Sequence, residues 1–298
     1  ISAIFVTRAA HTMATLWRKA DQEPDTGTRR FLRFMVEQAS WGLSALNRYQ
    51  PSQHLNYGGS QVNRQLNGVY YIASMYAECS PWHNLDGKVK RLASAFKKFV
   101  GTTSASCIAT GSASRLEAPD SSIDYIFTDP PFGENIYYAD LNFLVESWHG
   151  VITNDLPEAI IDRVRGKGVF EYQLAMERCF AEYHRVLKPG RWMTVVFSNS
   201  KATVWNAIQV SLQKAGFVVA EVAALDKRQG SFKQVTSTTA VKQDLVISVY
   251  KPNGGLERRL AERGATPESV WDFVETHLKQ LSITKPKDGG LEFIAERD

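Results

Sequence analysis

Cysteine is scarce in this chain: Cys79, Cys107 and Cys179 are the only three in 298 residues, far apart and without a paired spacing. That excludes a disulfide framework and a cysteine-based zinc knuckle, and it fits a reducing compartment, so the expected location is cytoplasmic. Long apolar runs are missing as well. No stretch reaches the ~18 uncharged apolar residues that a membrane span requires, and no basic-then-apolar leader opens the chain, so no membrane partner is expected. The first residue is Ile1 rather than Met, which suggests a piece of something longer. No sign of charge dominates either: 35 Lys and Arg against 31 Asp and Glu leave +4, which allows a polyanionic partner without demanding one. The histidines His11, His54, His83, His149, His184 and His277 are dispersed with no pair at metal-ligand spacing, so no metal is expected. What is present is globular in composition, 44% hydrophobic and 22% charged, and long enough for one large domain or two small ones.

Three stretches follow one another. Residues 1–100 read as a mainly helical accessory region, with Phe31, Phe34, Met35, Trp41, Leu43 and Leu46 at helical spacing and a Gly- and Asn-interrupted, aromatic-rich passage over 56–82. Lys88, Lys90, Arg91, Lys97 and Lys98 then punctuate an amphipathic helix carrying Val89, Leu92, Phe96 and Phe99 on its other side. Such a basic face suits a phosphate backbone, and an ordinary surface helix looks the same. Over 101–251 the period changes and strands alternate with helices, as an α/β sheet requires. Strands are predicted at 106–109, 123–128, 192–197, 217–224 and 245–250. Helices are predicted from Asn135, as N-cap, to Gly150, from about Glu171 to Lys188-Pro189-Gly190, and from Thr203 to Gly216. Arg163 to Gly168 reads as a polar loop. Residues 252–298 are charged and read as a helical tail, with Val274 and Leu278 on one face.

Asp129-Pro130-Pro131-Phe132 follows the apolar run Tyr125-Ile126-Phe127 directly, which puts a carboxylate at the C-terminal end of a buried parallel strand. Open α/β sheets hold their ligands there. Two consecutive prolines fix φ and remove two backbone donors, so the turn accepts hydrogen bonds rather than giving them. A carboxylate beside the Pro130 carbonyl suits an –NH₂ group with two hydrogens to donate, and an aromatic ring nearby can stack on a planar base. The expected guest is a nucleobase amine.

The segment from Ile126 to Gly133 resembles the catalytic motif of S-adenosylmethionine-dependent amino-group DNA methyltransferases: Asp, Asn or Ser, then Pro, Pro and an aromatic. Asn135-Ile136-Tyr137-Tyr138-Ala139-Asp140-Leu141 is similar to large prokaryotic adenine-specific DNA methylase homologues that carry an accessory domain. Arg185-Val186-Leu187-Lys188-Pro189-Gly190 resembles the segment before the fifth strand of that superfamily, and Asp244 to Ser248 its closing strand. The resemblance spans about half the chain, 101–251. It implies a Rossmann-like three-layer α/β methyltransferase sheet with an N-terminal helical appendage, S-adenosylmethionine as cofactor, and methyl transfer to the exocyclic amine of adenine in DNA, the activity of restriction-modification systems. It implies that Asp129, Pro130, Pro131 and Phe132 are catalytic: the first two bind the amine of a base turned out of its stack, and Phe132 packs on its ring. No cysteine stands in a Pro-Cys context, which argues against a ring-carbon cytosine methylase.

The chain departs from this pattern at the cofactor. The Gly-rich turn after a first strand is missing. The one Gly-x-Gly, Gly166-Lys167-Gly168, follows no apolar strand. Gly111-Ser112 stands where relatives place Gly-Asp toward the cofactor's adenine, so Gly111, Ser112 and Asp129 are the expected cofactor contacts, with Ser in place of the acid. Either an upstream segment, a partner domain or a subunit supplies the missing turn, or the chain does not bind the cofactor by itself. Lys227, Arg228 and Lys233, in the long 226–243 loop, and Asn199, at a strand end, are the expected nucleic-acid contacts. Two other readings stay open: methylation of a base amine in RNA, and a non-catalytic nucleic-acid-binding subunit.

Overall fold

In the computed structural model the described residues are 4–51, 66, 69–98, 101, 105–134, 136–225, 244–255, 267–280, 283–287 and 290–294. Phe99, Asn135, Lys227, Arg228 and Lys233, singled out above, lie outside them. The chain divides into two units, one of Ile1–Ile108 with Tyr137–Glu158, the other of Ala109–Ile136 with Ala159–Asp298.

The first unit is helical: α1 (Thr7–Asp21), α2 (Thr26–Glu37), the single turn α3 (Ser40–Leu43), α4 (Pro81–Lys97) and α5 (Tyr138–His149). Local chemistry sets their ends. The Asp25 carboxylate accepts the Thr28 N–H at 2.6 Å to start α2. Pro81 opens α4, where its missing N–H costs nothing. α5 stops at Gly150, in the left-handed region at φ +68°, as its position in the sequence predicts. The core joins Phe5, Met13, Val36, Leu43, Leu46 and Leu144, with Trp148 edge-on to Phe5 at 5.9 Å. The Tyr70 hydroxyl donates to the Leu141 carbonyl (2.6 Å) and accepts from the Leu144 N–H (3.0 Å), tying its loop to α5. In α4 the sequence expectation fails in part. Asn84 and Leu85 are its buried residues, whereas Val89 and Phe96 of the predicted stripe stay about half exposed, Phe96 resting edge-on against Phe31 of α2 at 5.0 Å.

The second unit contains β1 (Ile123–Thr128), α6 (Val169–Val186), β2 (Leu187–Phe197), α7 (Ala202–Lys214), β3 (Val218–Leu225), β4 (Asp244–Tyr250), α8 (Pro267–Gln280) and the hairpin β5 (Ile283–Lys287) with β6 (Gly290–Ile294). It is an α/β unit built on an open mixed sheet in the order β1-β2-β4-β3. β1 runs parallel to β2, and β4 is antiparallel to both neighbours. Alternation along the strands sends Ile126, Met193, Val195, Phe197, Ile247 and Val249 to one face. There Tyr172, Met176 and Phe180 of α6 and Val204, Ile208 and Leu212 of α7 complete the core. Burying each of these side chains contributes about 1.5–3 kcal/mol. On the opposite face Trp192 stacks at a tilt on Tyr250, whose hydroxyl lies 3.0 Å from His277 of α8.

Three sequence expectations are corrected here. Residues 105–112 form no strand; they run exposed and unpaired, because an extended segment without a ladder partner cannot satisfy its own backbone. The helix expected to stop at Lys188-Pro189-Gly190 ends at Val186, and β2 begins at once, Leu187 pairing with Ile123. Pro189 and Gly190 therefore lie inside a strand, at the register shift between Ile123 and Tyr125. The tail also holds the β5–β6 hairpin beside its helix.

Candidate functional site

β1 delivers the Asp129-Pro130-Pro131-Phe132 turn at its C-terminal end, beside the parallel neighbour β2. The strand is not buried as predicted. It is the edge of the sheet, and Tyr125 and Phe127 on the face away from the core are 54% and 65% exposed. Asp129 is exposed to solvent, Pro130 is buried, and Phe132 is half-buried, edge-on to Phe197 at 5.4 Å.

The turn is fixed from beneath through its carbonyls. The hydroxyl of Tyr172, fully buried on α6, donates to the Pro131 carbonyl at 2.6 Å. The amide of Asn199, just past β2, donates to the Phe132 carbonyl at 2.7 Å, and its own oxygen accepts the Lys201 N–H at 2.7 Å. The Ile161 N–H donates to the Gly133 carbonyl at 3.2 Å. Three successive carbonyls are thus taken by donors of the unit, while the Pro130 carbonyl accepts no hydrogen bond from any described residue. An acceptor is left at Pro130, the residue after exposed Asp129, on a backbone that two prolines and three donors hold rigid.

Gly133 closes the turn at φ +81°, where a Cβ would stand 3.2 Å from Asn199 Nδ2, 3.3 Å from Ile161 Cδ1 and 3.4 Å from Val204 Cγ1. Glu134 pairs with Lys201 at the next step. At the end of β1 the Thr128 hydroxyl lies 3.5 Å from the Tyr183 hydroxyl. Burial pushes that phenol above its ordinary pKa, the Thr128 bond opposing the shift. Asn199, expected to touch nucleic acid, is buried with both ends of its amide engaged within the chain, which makes it a support of the turn. Tyr172 was missed by the sequence reading, although it stands four residues before Met176 on the stripe that defines the buried face of α6.

Two of the three expected cofactor contacts, Gly111 and Ser112, have no comparable setting. Gly111 and Ser112 lie on the exposed 105–112 segment; nothing stands within 4 Å of where a Gly111 Cβ would be, and the Ser112 hydroxyl bonds only locally, to Ser114 at 2.8 Å. Among the described residues these two do not fit S-adenosylmethionine: they form no cradle for its adenosine or methionyl parts. The groove of about 340 Å³ between α7 and β3–β4, lined by Trp205, Gln209, Leu212, Val219, Val222, Leu245 and Ile247, contains none of the turn residues. No group of three or more His, Cys, Asp or Glu that could hold a metal ion occurs among the described residues. No described helix is long and apolar enough to cross a membrane.

Compared with protein-family models and with curated proteins, the chain matches none. Among solved structures it is similar to TTHA0409 of Thermus thermophilus, a presumed DNA modification methylase in complex with S-adenosyl-L-methionine, at 17% identity over 53% of this chain and 57% of that one, with a TM-score of 0.27. It is similar to a SAM-dependent methyltransferase of Methanosarcina mazei at 15% identity, over 54% of this chain and 76% of that one, TM-score 0.28. It is similar to the cyclase SpnF at 13% identity, over 55% and 62% of the two chains, TM-score 0.30. The chain spans a little over half the length of TTHA0409. Overlaps this partial leave the functional argument to the turn itself.

Proposed function

We propose that this chain acts as the amine-binding part of an S-adenosylmethionine-dependent methyltransferase that modifies the exocyclic amine of adenine in DNA. One observation carries the reading: at the C-terminal end of a parallel strand, an exposed carboxylate adjoins a carbonyl that accepts no bond from the described residues, while the next three carbonyls of the same turn are all occupied. Two acceptors side by side match the two N–H bonds of a nucleobase amine and nothing on its ring carbons. Asp129 takes one hydrogen and the Pro130 carbonyl the other. Both bonds favour drawing the nitrogen out of conjugation toward a pyramidal geometry with a usable lone pair, so they strengthen as the amine becomes nucleophilic. Phe132 bounds the base on one side. Tyr172, Asn199 and the Ile161 N–H are positioning groups that keep the two acceptors in place. The methyl donor is S-adenosylmethionine, and its binding turn is expected from a segment or partner other than the Gly111–Ser112 stretch.

The test is label transfer from methyl-tritiated S-adenosylmethionine into duplex DNA and into tRNA in parallel, followed by nucleoside chromatography, with calorimetric titration of the cofactor. N6-methyladenine from DNA, abolished by Asp129→Ala, is the expected result. Label in tRNA alone points instead to an RNA amine. DNA retardation with neither label nor cofactor heat leaves a binding subunit.

A further inference from the structure

Immediately after Ile161, which is bonded to Gly133, the chain makes a tight hairpin. The Asp162 N–H donates to the Lys167 carbonyl at 2.9 Å, the Lys167 N–H donates to the Asp162 carbonyl at 2.8 Å, and Gly166 turns the chain at φ +71°. The Asp162 side chain organises the tip. One carboxylate oxygen accepts the N–H groups of Val164 (2.9 Å) and Arg165 (3.3 Å), and the other takes the Arg165 guanidinium at 3.1 Å. This carboxylate is itself buried. What the sequence presents as a polar loop is therefore a fastened structure.

The tip it presents is apolar as well as fixed. Val164 is 98% exposed. Burying a valine is worth about 1.5 kcal/mol or more, and the fold forgoes this at a place where the backbone is pinned rather than loose. Beside it Arg163 is exposed and makes no ion pair among the described residues. Arg165 is paired with Asp162, so the charge that the tip offers is that of Arg163. The anchor places this tip next to the acceptor turn: two residues carry the chain no more than ~7 Å from Ile161, Cα to Cα, and Ile161 is hydrogen-bonded to the residue that closes the turn. A cation and an apolar side chain carried next to each other on a fastened backbone suit a strand that is charged along its phosphates and apolar at its sugars and base edges.

The geometry points to the 162–167 hairpin as the element that grips the nucleic-acid strand carrying the base offered to Asp129 and Pro130, with Arg163 on a phosphate and Val164 against the adjoining sugar or base. The inference rests on the amine-acceptor reading above for its substrate. An exposed arginine and an exposed valine are both dispensable for folding, so their substitution reads binding directly.

The experiment measures fluorescence anisotropy of a labelled duplex DNA with the 298-residue chain and its Arg163→Ala, Arg163→Lys and Val164→Ser variants, over about 50–200 mM salt. Arg163→Ala is expected to weaken binding several-fold at low salt and to reduce the slope of log affinity against log salt by about 0.9, the loss of one phosphate contact, while Arg163→Lys retains the slope. Val164→Ser is expected to leave the slope unchanged, weaken binding, and reduce the fluorescence rise of 2-aminopurine placed at the target position. Parent-like affinity and slope in both Arg163→Ala and Val164→Ser overturn the inference, as does a parent chain that fails to bind DNA or that prefers an acidic protein surface. The two proposals fail separately. If methyl transfer from S-adenosylmethionine is absent but binding depends on Arg163, the hairpin stands without the enzyme; if methyl transfer is intact and binding indifferent to the tip, the enzyme stands without the hairpin.

Discussion

At the scale of single residues, the turn depends on groups that themselves contact no base. Tyr172→Phe removes one donor and leaves the Pro131 carbonyl unpaired, with no change in shape. We expect the chain to stay folded and the rate of methyl transfer to fall about tenfold, equivalent to ~1.4 kcal/mol, with KM for DNA unchanged. Steady-state kinetics checks this, and an equal rise in KM would point to a role in binding instead. Gly133→Ala meets both a positive φ and neighbours at 3.2–3.4 Å, so a loss of ~1–3 kcal/mol in urea unfolding is expected. A different residue sets an acid limit. Bonds from Arg185 and from the Leu116 N–H hold the Glu182 carboxyl down to about 2 from its usual 4.5. A carboxyl whose pKa is lowered by folding stabilises the native state above 4.5, and that contribution drains away as pH falls from 4.5 toward 2. Glu182→Gln should therefore melt below the parent at pH 7 and converge with it in acid; a constant difference at every pH would refute the linkage.

At the scale of elements, what the sequence made legible was whatever a local period or a punctuating residue encodes. Gly150 and Gly216 end their helices as placed, both at positive φ, and the stripe through Met176, Phe180 and Val186 is the buried face of α6. The non-local facts were not legible. Nothing in β4 itself says that it inserts between β2 and β3. Nothing in Tyr125-Ile126-Phe127, which reads as a buried strand, says that its outer face stays half open at a sheet edge. Side-chain supports such as Tyr172 and Asn199 belong to elements forty to seventy residues from the turn, so only the folded chain brings them there. The strand order carries a prediction of its own. Amide exchange should be slowest in β2 and β4, each flanked on both sides, and faster in β1 and β3, each flanked on one. Equal protection in all four strands would contradict the order.

At the scale of the whole molecule, the two hydrophobic clusters share no residue. Leu144→Ala opens a void in the first and Phe180→Ala in the second, with expected losses of ~2–5 and ~3–5 kcal/mol respectively. Each variant should lower protection only among the amides of its own unit, read by hydrogen exchange with mass spectrometry; a uniform loss in either would mean a single cooperative block. The chain leaves the second unit after Ile136 and re-enters it at Ala159, and the bond between the Ile161 N–H and the Gly133 carbonyl shows that departure and return meet at one point. An excursion whose two ends touch is a cassette. The separation of its two ends is therefore fixed inside the second unit, by a bond that belongs to the acceptor turn itself.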